Sequence, residues 1–148
     1  MKQLNEYLIN KQTKEKIQYK YYPKDRNELK AIIKQRIKDE GFKCDLNDID
    51  VSRITDMHCL FKNSQFNGNI STWDVSNVEN MNSMFYNSKF TGDISNWNVS
   101  KVENMNSMFS FSKFKGDISK WNVSNVENMD NILYKCPLKK NPPEWYYD

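Results

Sequence analysis

The chain has 148 residues, enough for one domain, of which 38% are hydrophobic and 14% aromatic. Aromatics at that density can be buried, which excludes a compositionally disordered chain. The net charge is +3, with the surplus in residues 1–48 (+4, against −1 for the rest), too mild a bias to imply nucleic acid by itself.

The start, MKQLNEYLINKQTKEK, lacks the long apolar core and small-residue cleavage site of a signal peptide. No apolar run approaches membrane-spanning length. Cys44, Cys59 and Cys136 match no zinc or redox spacing. An odd count without a framework fits a reducing compartment, so a cytoplasmic protein is expected.

Residues 2–12 place Leu4, Tyr7 and Leu8 at i, i+3, i+4, which predicts a short amphipathic helix. Residues 16–22 alternate, with Ile17, Tyr19 and Tyr21 on one face, which predicts a strand ended by Pro23. The same stretch interleaves base and aromatic. Lys16, Tyr19, Lys20 and Tyr22 are therefore candidates for contacting single-stranded nucleic acid, against the plainer reading of a cap strand with buried tyrosines. A clear helix follows over residues 26–40. Asp25 is its N-cap and Glu28 completes a capping-box-like pattern. Leu29, Ile32, Ile33 and Ile37 form its apolar stripe, and Gly41 is placed to end it in a left-handed conformation.

From residue 49 the sequence repeats with a period of 24, in blocks 49–72, 73–96, 97–120 and 121–144, with Trp145 opening a further repeat. The second and third blocks, WDVSNVENMNSMFYNSKFTGDISN and WNVSKVENMNSMFSFSKFKGDISK, are nearly identical. Eight apolar positions recur, including Trp73/Trp97/Trp121, Met57/Met81/Met105/Met129, Phe61/Phe85/Phe109 and Phe66/Phe90/Phe114. Too few to close a core within one block, they form a continuous column when the blocks stack. Trp-x-Val suits a short strand, and Met105, Met108 and Phe109 suit one helical turn. Gly68, Gly92 and Gly116 mark a corner that needs an unusual backbone or a close approach. The expected fold is an α/β repeat solenoid, leucine-rich-repeat-like and right-handed, with short parallel strands and short helical turns. An α+β N-terminal cap over residues 1–48 would precede repeats at 49–144, and an aromatic C-terminal cap at 145–148 would follow. The recurring Ser and Asn positions are expected to bond backbone at the corners.

The pattern W-(D/N)-V-S-x-V-x-x-M-x-x-M-F-x-x-S-x-F-x-G-(D/N)-I-S resembles the BspA-like surface-protein repeat family over residues 46–144. That resemblance implies tandem repeats related in style to leucine-rich repeats, and a role in adhesion or protein binding. It also implies relatives among bacterial surface lipoproteins and short proteins of bacteria, phages and mobile elements, and it carries over no catalytic residue.

Sites of chemistry are sparse. His58 is the lone histidine, at a position held by Asn82, Asn106 and Asp130 in later blocks. Without a partner identified in the sequence it is a poor nucleophile–base candidate. No phosphate loop, HExxH or CxxC is present. The chain is therefore expected not to be an enzyme and to hold no metal or cofactor.

Candidates for a partner surface are of two kinds. Glu79, Glu103 and Glu127 share one repeat position and should stack into an acidic row, tolerable only in water or opposite cations. Positions where the blocks disagree should point outward, and among these Tyr86, Lys101, Phe111, Lys120 and Tyr134 are the candidate contacts. Phe111 stands where other blocks have Asn63, Asn87 and Lys135. The function expected is a non-enzymatic, monomeric protein-binding module, such as an intracellular adaptor or inhibitor, for instance a phage-encoded antagonist of a bacterial defence enzyme. The alternatives are single-strand nucleic-acid binding at the N-terminal region, and surface adhesion.

Overall fold

The computed structural model describes residues 18–147. The helix expected at residues 2–12, and Lys16 with Ile17, lie outside the described residues.

Helix α1 spans Arg26–Glu40. Asp25 Oδ1 accepts the Glu28 N–H at 2.9 Å, and the Glu28 carboxylate reaches back to the Lys24 N–H at 2.9 Å. The first bond satisfies a first-turn donor that has no partner inside the helix, and the second holds the residue just before the N-cap. Leu29 and Ile33 are buried, and Ile32 and Ile37 partly so. Gly41 ends the helix by donating to Ile37 O at 2.8 Å. Its φ of 88° is positive as expected, but ψ is 176°, so the cap lies in the glycine-only extended region rather than the left-handed helical one. Arg36 is buried on this helix and makes bonds that sequence reasoning missed. It donates to Glu40 Oε1 at 2.6 Å, to Asp48 Oδ1 at 2.8 Å and to the carbonyl of Asp45 at 2.9 Å, fastening α1 to the chain that enters the first repeat.

The repeats stack as coils, but not with the expected local structure. The α/β solenoid is overturned, and with it the leucine-rich-repeat likeness and the right-handed parallel crossovers: the described residues contain one α-helix, one short 3-10 turn at Pro137–Lys140, and no strand or sheet. Parallel pairing is confined to five isolated bridges, among them Asp56 to Asn80, Asn80 to Asn104 and Asn104 to Asn128. Of the strand expected over residues 16–22, the described residues 18–22 show no strand and a single isolated bridge, Tyr21 to Ile49. The reason is visible in the backbone. Cys59 and Asn63 have φ of 56° and 57°, Ser83 and Asn87 54° and 49°, and Ser107 and Phe111 55° and 59°. Two positive φ values four residues apart in each coil cannot belong to an extended strand or an α-helix. The chain instead closes successive turns, as in Leu60 N–H to Met57 O, Lys62 to Cys59 and Ser64 to Phe61. Met105, Met108 and Phe109, expected on a helical turn, lie on these turns.

Side chains fix the corners. Asn80 Oδ1 accepts from the Asn82 N–H at 2.9 Å, Asp74 from Ser76 at 3.1 Å, Asp93 from Ser95 at 2.9 Å, and Ser88 Oγ from Phe90 at 3.0 Å. Each is a residue-i side chain bonded to backbone two positions on. These bonds explain why Asp74, Asn98 and Asn122 differ between blocks: Asp and Asn offer the same acceptor oxygen, so the variation is structural and not a free recognition position.

The interior is a set of aromatic columns. Phe61, Phe85 and Phe109 stack with centroids 5.5 and 5.6 Å apart and rings within 5° of parallel. Phe66, Phe90 and Phe114 form a second column. All six are fully buried. At about 2 kcal/mol each for burial, they outweigh any single turn bond, so they supply cohesion while the turns supply register. The corner glycines serve close approach. A Cβ on Gly92 would lie 2.7 Å from the Phe90 ring, and one on Gly68 only 1.9 Å from the Cys44 carbonyl oxygen.

At the C-terminal end, Pro137 stands where Lys89 and Lys113 donate their N–H to Ser64 and Ser88. Lacking that donor, it breaks the ladder and opens the 3-10 turn. Trp145 and Tyr146 pack against the core, while Tyr147 is 83% exposed.

Candidate functional site

The surface feature the fold assembles most clearly is an aromatic ridge across three coils. The Phe111 ring sits edge-on to Tyr86 and to Tyr134, each at a centroid distance of 5.4 Å. Tyr86 and Tyr134 occupy one repeat position, and between them that position holds Ser110, which is buried. The small serine leaves a gap in the tyrosine row, and Phe111, from the adjacent position, leans across it. Lys62 Nζ lies 5.2 Å from the Tyr86 centroid, and Lys135 Nζ lies 5.4 and 5.6 Å from Phe111 and Tyr134. The ridge is thus aromatic along its length and cationic at both ends.

Phe111 is 39% exposed with a φ of 59°. Its equivalents Asn63 and Asn87 hold the same backbone with a residue that tolerates it. A phenylalanine there carries about 1–2 kcal/mol of backbone strain. It also gives up the amide-to-amide bond that Asn87 Nδ2 makes to Asn63 Oδ1 at 2.9 Å. Folding alone favours asparagine at this position.

The glutamates are placed differently. The N–H of Glu127 donates to Glu103 O, and that of Glu103 to Glu79 O, both at 2.8 Å, so their backbones form one ladder. All three side chains are exposed, and among the described residues none has an ion-pair partner. No hydrogen bond or ion pair joins this row to the aromatic ridge among the described residues. Lys101 Nζ donates to Asn77 Oδ1 at 2.9 Å, on a separate row. Lys120 is exposed near Asp117, whose carboxyl is held below its ordinary value first by the Ser119 hydroxyl and N–H and then by that lysine.

In the N-terminal region Tyr22 is 57% exposed and its ring lies edge-on to Tyr19, with centroids 6.3 Å apart. Burial raises the Tyr19 hydroxyl pKa, and the carboxylates of Asp50 and Asp74 raise it further. Lys20 is exposed and bonds through its backbone to Asp48 O at 2.8 Å. This stretch therefore meets acidic groups and is not a uniformly basic groove.

Sequence reasoning missed the partner of His58. Its Nδ1 lies 2.8 Å from Asp56 Oδ1, and the pair borders a cleft of about 330 Å³ lined also by Lys24, Arg26 and Arg53. The Asp-x-His spacing was the available signal. Cys59 does not line that cleft, so the pair has no thiol to activate there. Among the described residues no group of three or more His, Cys, Asp or Glu side chains is arranged to hold a metal. No helix there is long and apolar enough to cross a membrane.

A family profile described as "Mycoplasma protein of unknown function, DUF285" matches residues 28–145. This overturns the resemblance to the BspA-like repeats, for no BspA-like or leucine-rich-repeat family matches. No curated protein and no solved structure matches the chain.

Proposed function

The chain belongs to the DUF285 family, whose description assigns no activity, and from that premise we propose that it is a non-enzymatic protein-binding module. Its contact surface is the ridge of Tyr86, Phe111 and Tyr134. The observation that carries this reading is Phe111, an exposed aromatic held in a left-handed backbone where the equivalent coils keep asparagine. Strain retained at one surface position motivates a functional hypothesis, and Tyr and Phe with a cationic rim are the side chains enriched at interface centres. The glutamate row, with Lys101 and Lys120, forms the outer, steering part of the same proposal. The module acts as a monomeric adaptor or inhibitor, with residues 1–48 as N-terminal cap, 49–144 as stacked coils and 145–148 as aromatic C-terminal cap. Free thiols at Cys44, Cys59 and Cys136 support a cytoplasmic location. The carboxylates beside Tyr19 favour a protein partner over nucleic acid.

The test is affinity purification of tagged protein from its host, with nuclease treatment, run in parallel with Phe111→Asn. A stoichiometric protein that survives nuclease and is lost with Phe111→Asn is the expected result. Retention of the same protein by Phe111→Asn, or recovery of nucleic acid alone, overturns the reading.

A further inference from the structure

Charge is sorted around each coil. Residues 59–67, 83–91, 107–115 and 131–139 occupy the same arc of the four coils and hold no aspartate or glutamate. They hold Lys62, Lys89, Lys113, Lys115, Lys135 and Lys139, while every carboxylate side chain from residue 49 onward lies elsewhere in its coil. Past Thr91 and Lys115, Asp93 and Asp117 accept from the hydroxyls and N–H groups of Ser95 and Ser119 and so already have partners. Asp130 borders the arc only in the last coil, where it lines a cleft with Tyr134.

Alternation builds the outer surface of this arc. Phe111, Lys113 and Lys115 are exposed, and Ser112 and Phe114 between them are buried. In the coil before, Asn87, Lys89 and Thr91 are exposed around buried Ser88 and Phe90. The Lys113 N–H donates to Ser88 O at 3.1 Å, which places Lys113 beside Lys89 on the neighbouring coil. Like charges side by side on adjacent backbones repel, and no carboxylate of the arc offsets this pair. Among the described residues, the ammonium groups of Lys89, Lys113 and Lys115 have no hydrogen bond, ion pair or ring contact. Lys113 and Lys115 follow Phe111 within four residues, so unpaired positive charge adjoins the aromatic ridge.

The ridge itself distinguishes an acidic protein from a nucleic acid. Single-strand binders stack successive bases on open ring faces. Here Lys62 lies over Tyr86, and Lys135 over Phe111 and Tyr134. Phe111 meets its two neighbours at 63° and 80°, so the three ring planes share no platform. A carboxylate needs no platform and accepts directly from an ammonium group, which has three N–H donors. We propose that the segment of the partner protein that meets the ridge is acidic, with its carboxylates held by Lys89, Lys113 and Lys115 beside Phe111. Complementary charge of this kind steers encounter and fixes register more than it adds affinity. The inference rests on the ridge being the contact surface and names the chemistry of what it contacts.

Backbone-amide NMR of the full chain tests this, with a capped Asp-Asp-Phe-Asp-Asp peptide as the probe. An Asn-Asn-Phe-Asn-Asn peptide and a thymidine pentanucleotide are the controls. The acidic peptide is expected to shift the amides of Lys89, Phe111, Lys113 and Lys115 saturably and to weaken with salt. Lys89→Gln combined with Lys113→Gln is expected to weaken it about fivefold. Lys30→Gln combined with Lys34→Gln removes the same charge from exposed positions of α1 and is expected to leave it unchanged. Absence of saturable shifts at those amides by about 5 mM peptide overturns the proposal. So does equal affinity for the asparagine peptide or the oligonucleotide, or equal weakening by the two lysine pairs. Concentration-dependent shifts of the same amides without peptide assign the face to a second copy of the chain and overturn the proposal as well. A failed titration beside a Phe111-dependent partner recovered from the host removes the acidic segment and leaves the ridge. A titration that Phe111→Asn leaves unchanged supports the lysines as the carboxylate site and removes the ridge.

Discussion

The indole N–H of Trp97 donates to the carbonyl oxygen of Ile70, 3.1 Å away and 27 residues back. The same bond joins Trp73 to Leu46, Trp121 to Ile94 and Trp145 to Ile118. Each tryptophan thus ties its coil to the one before it. Trp145, one period beyond Trp121, makes the same tie to the coil before it.

Removing one tie tests this. Trp97→Phe keeps an aromatic ring but leaves the Ile70 carbonyl buried without that donor, at a cost of about 1–3 kcal/mol in addition to the lost ring volume. Trp145→Phe, at a half-buried position, should cost less than about 1 kcal/mol. Urea unfolding midpoints of the two variants measure the difference, and equal losses would contradict the buried tie.

The corner glycines should rank by what a methyl group meets. In Gly116→Ala the nearest atoms belong to the Phe114 ring, at 2.8 and 3.0 Å. A ring can shift, so a loss of about 1–3 kcal/mol is expected. In Gly68→Ala the obstacle is the Cys44 main-chain oxygen at 1.9 Å, which cannot move without the backbone. Gly68→Ala should be the more damaging, and thermal unfolding of both proteins checks the order.

Arg36→Ala leaves Asp48 and the Asp45 carbonyl without their donor at the joint between α1 and the first coil. Breaking a buried pair costs about 3–5 kcal/mol. The Glu40 side chain is 48% exposed and its share is screened, so about 2–3 kcal/mol is expected here. Arg36→Lys keeps charge but not the fork and should fall between. Equilibrium unfolding provides the comparison.

Phe111→Asn should leave stability unchanged or raise it by up to about 1 kcal/mol, because relief of the left-handed strain offsets two exposed edge contacts. A gain in urea midpoint together with loss of partner binding would separate the role of Phe111 in recognition from any role in folding. A large drop in midpoint would instead make it a packing residue.

Stability should also fall in acid through two corners. The Ser95 and Ser119 hydroxyls and N–H groups hold the carboxyls of Asp93 and Asp117 below their ordinary value. A folded pKa below the unfolded one gives stabilisation that is complete above the unfolded aspartate value of about 3.9. That stabilisation is lost as the pH falls through the folded value. Ser95→Ala and Ser119→Ala should raise the two carboxyl pKa values toward the ordinary one in a carbon-detected NMR titration and flatten the acid loss of stability.

The amino-acid sequence by itself determined the period, the apolar columns and α1. A buried position must recur every 24 residues if coils are to stack, and the cap Asp25, the stripe and Gly41 act within one local segment. The local geometry of the coils was decided only in three dimensions. Trp-x-Val reads as a strand although the Trp73 and Val78 N–H groups close turns onto Ile70 and Val75, and Met-x-x-Met-Phe reads as a helical turn because period alone cannot register a positive φ on Ser83 or Ser107. Those angles are stabilised by hydrogen bonds to the neighbouring coil, which no single block contains. The ridge was half legible: Tyr86, Phe111 and Tyr134 stand out as mismatches between blocks, but that Ser110 opens the gap Phe111 fills follows only from stacking. The same holds for the main-chain donors of Met129, Asn131, Leu133 and Lys135, which have no acceptor among the described residues. Main-chain groups leave no mark in a sequence, and only the stacking of the coils shows which of them find a partner in the next one.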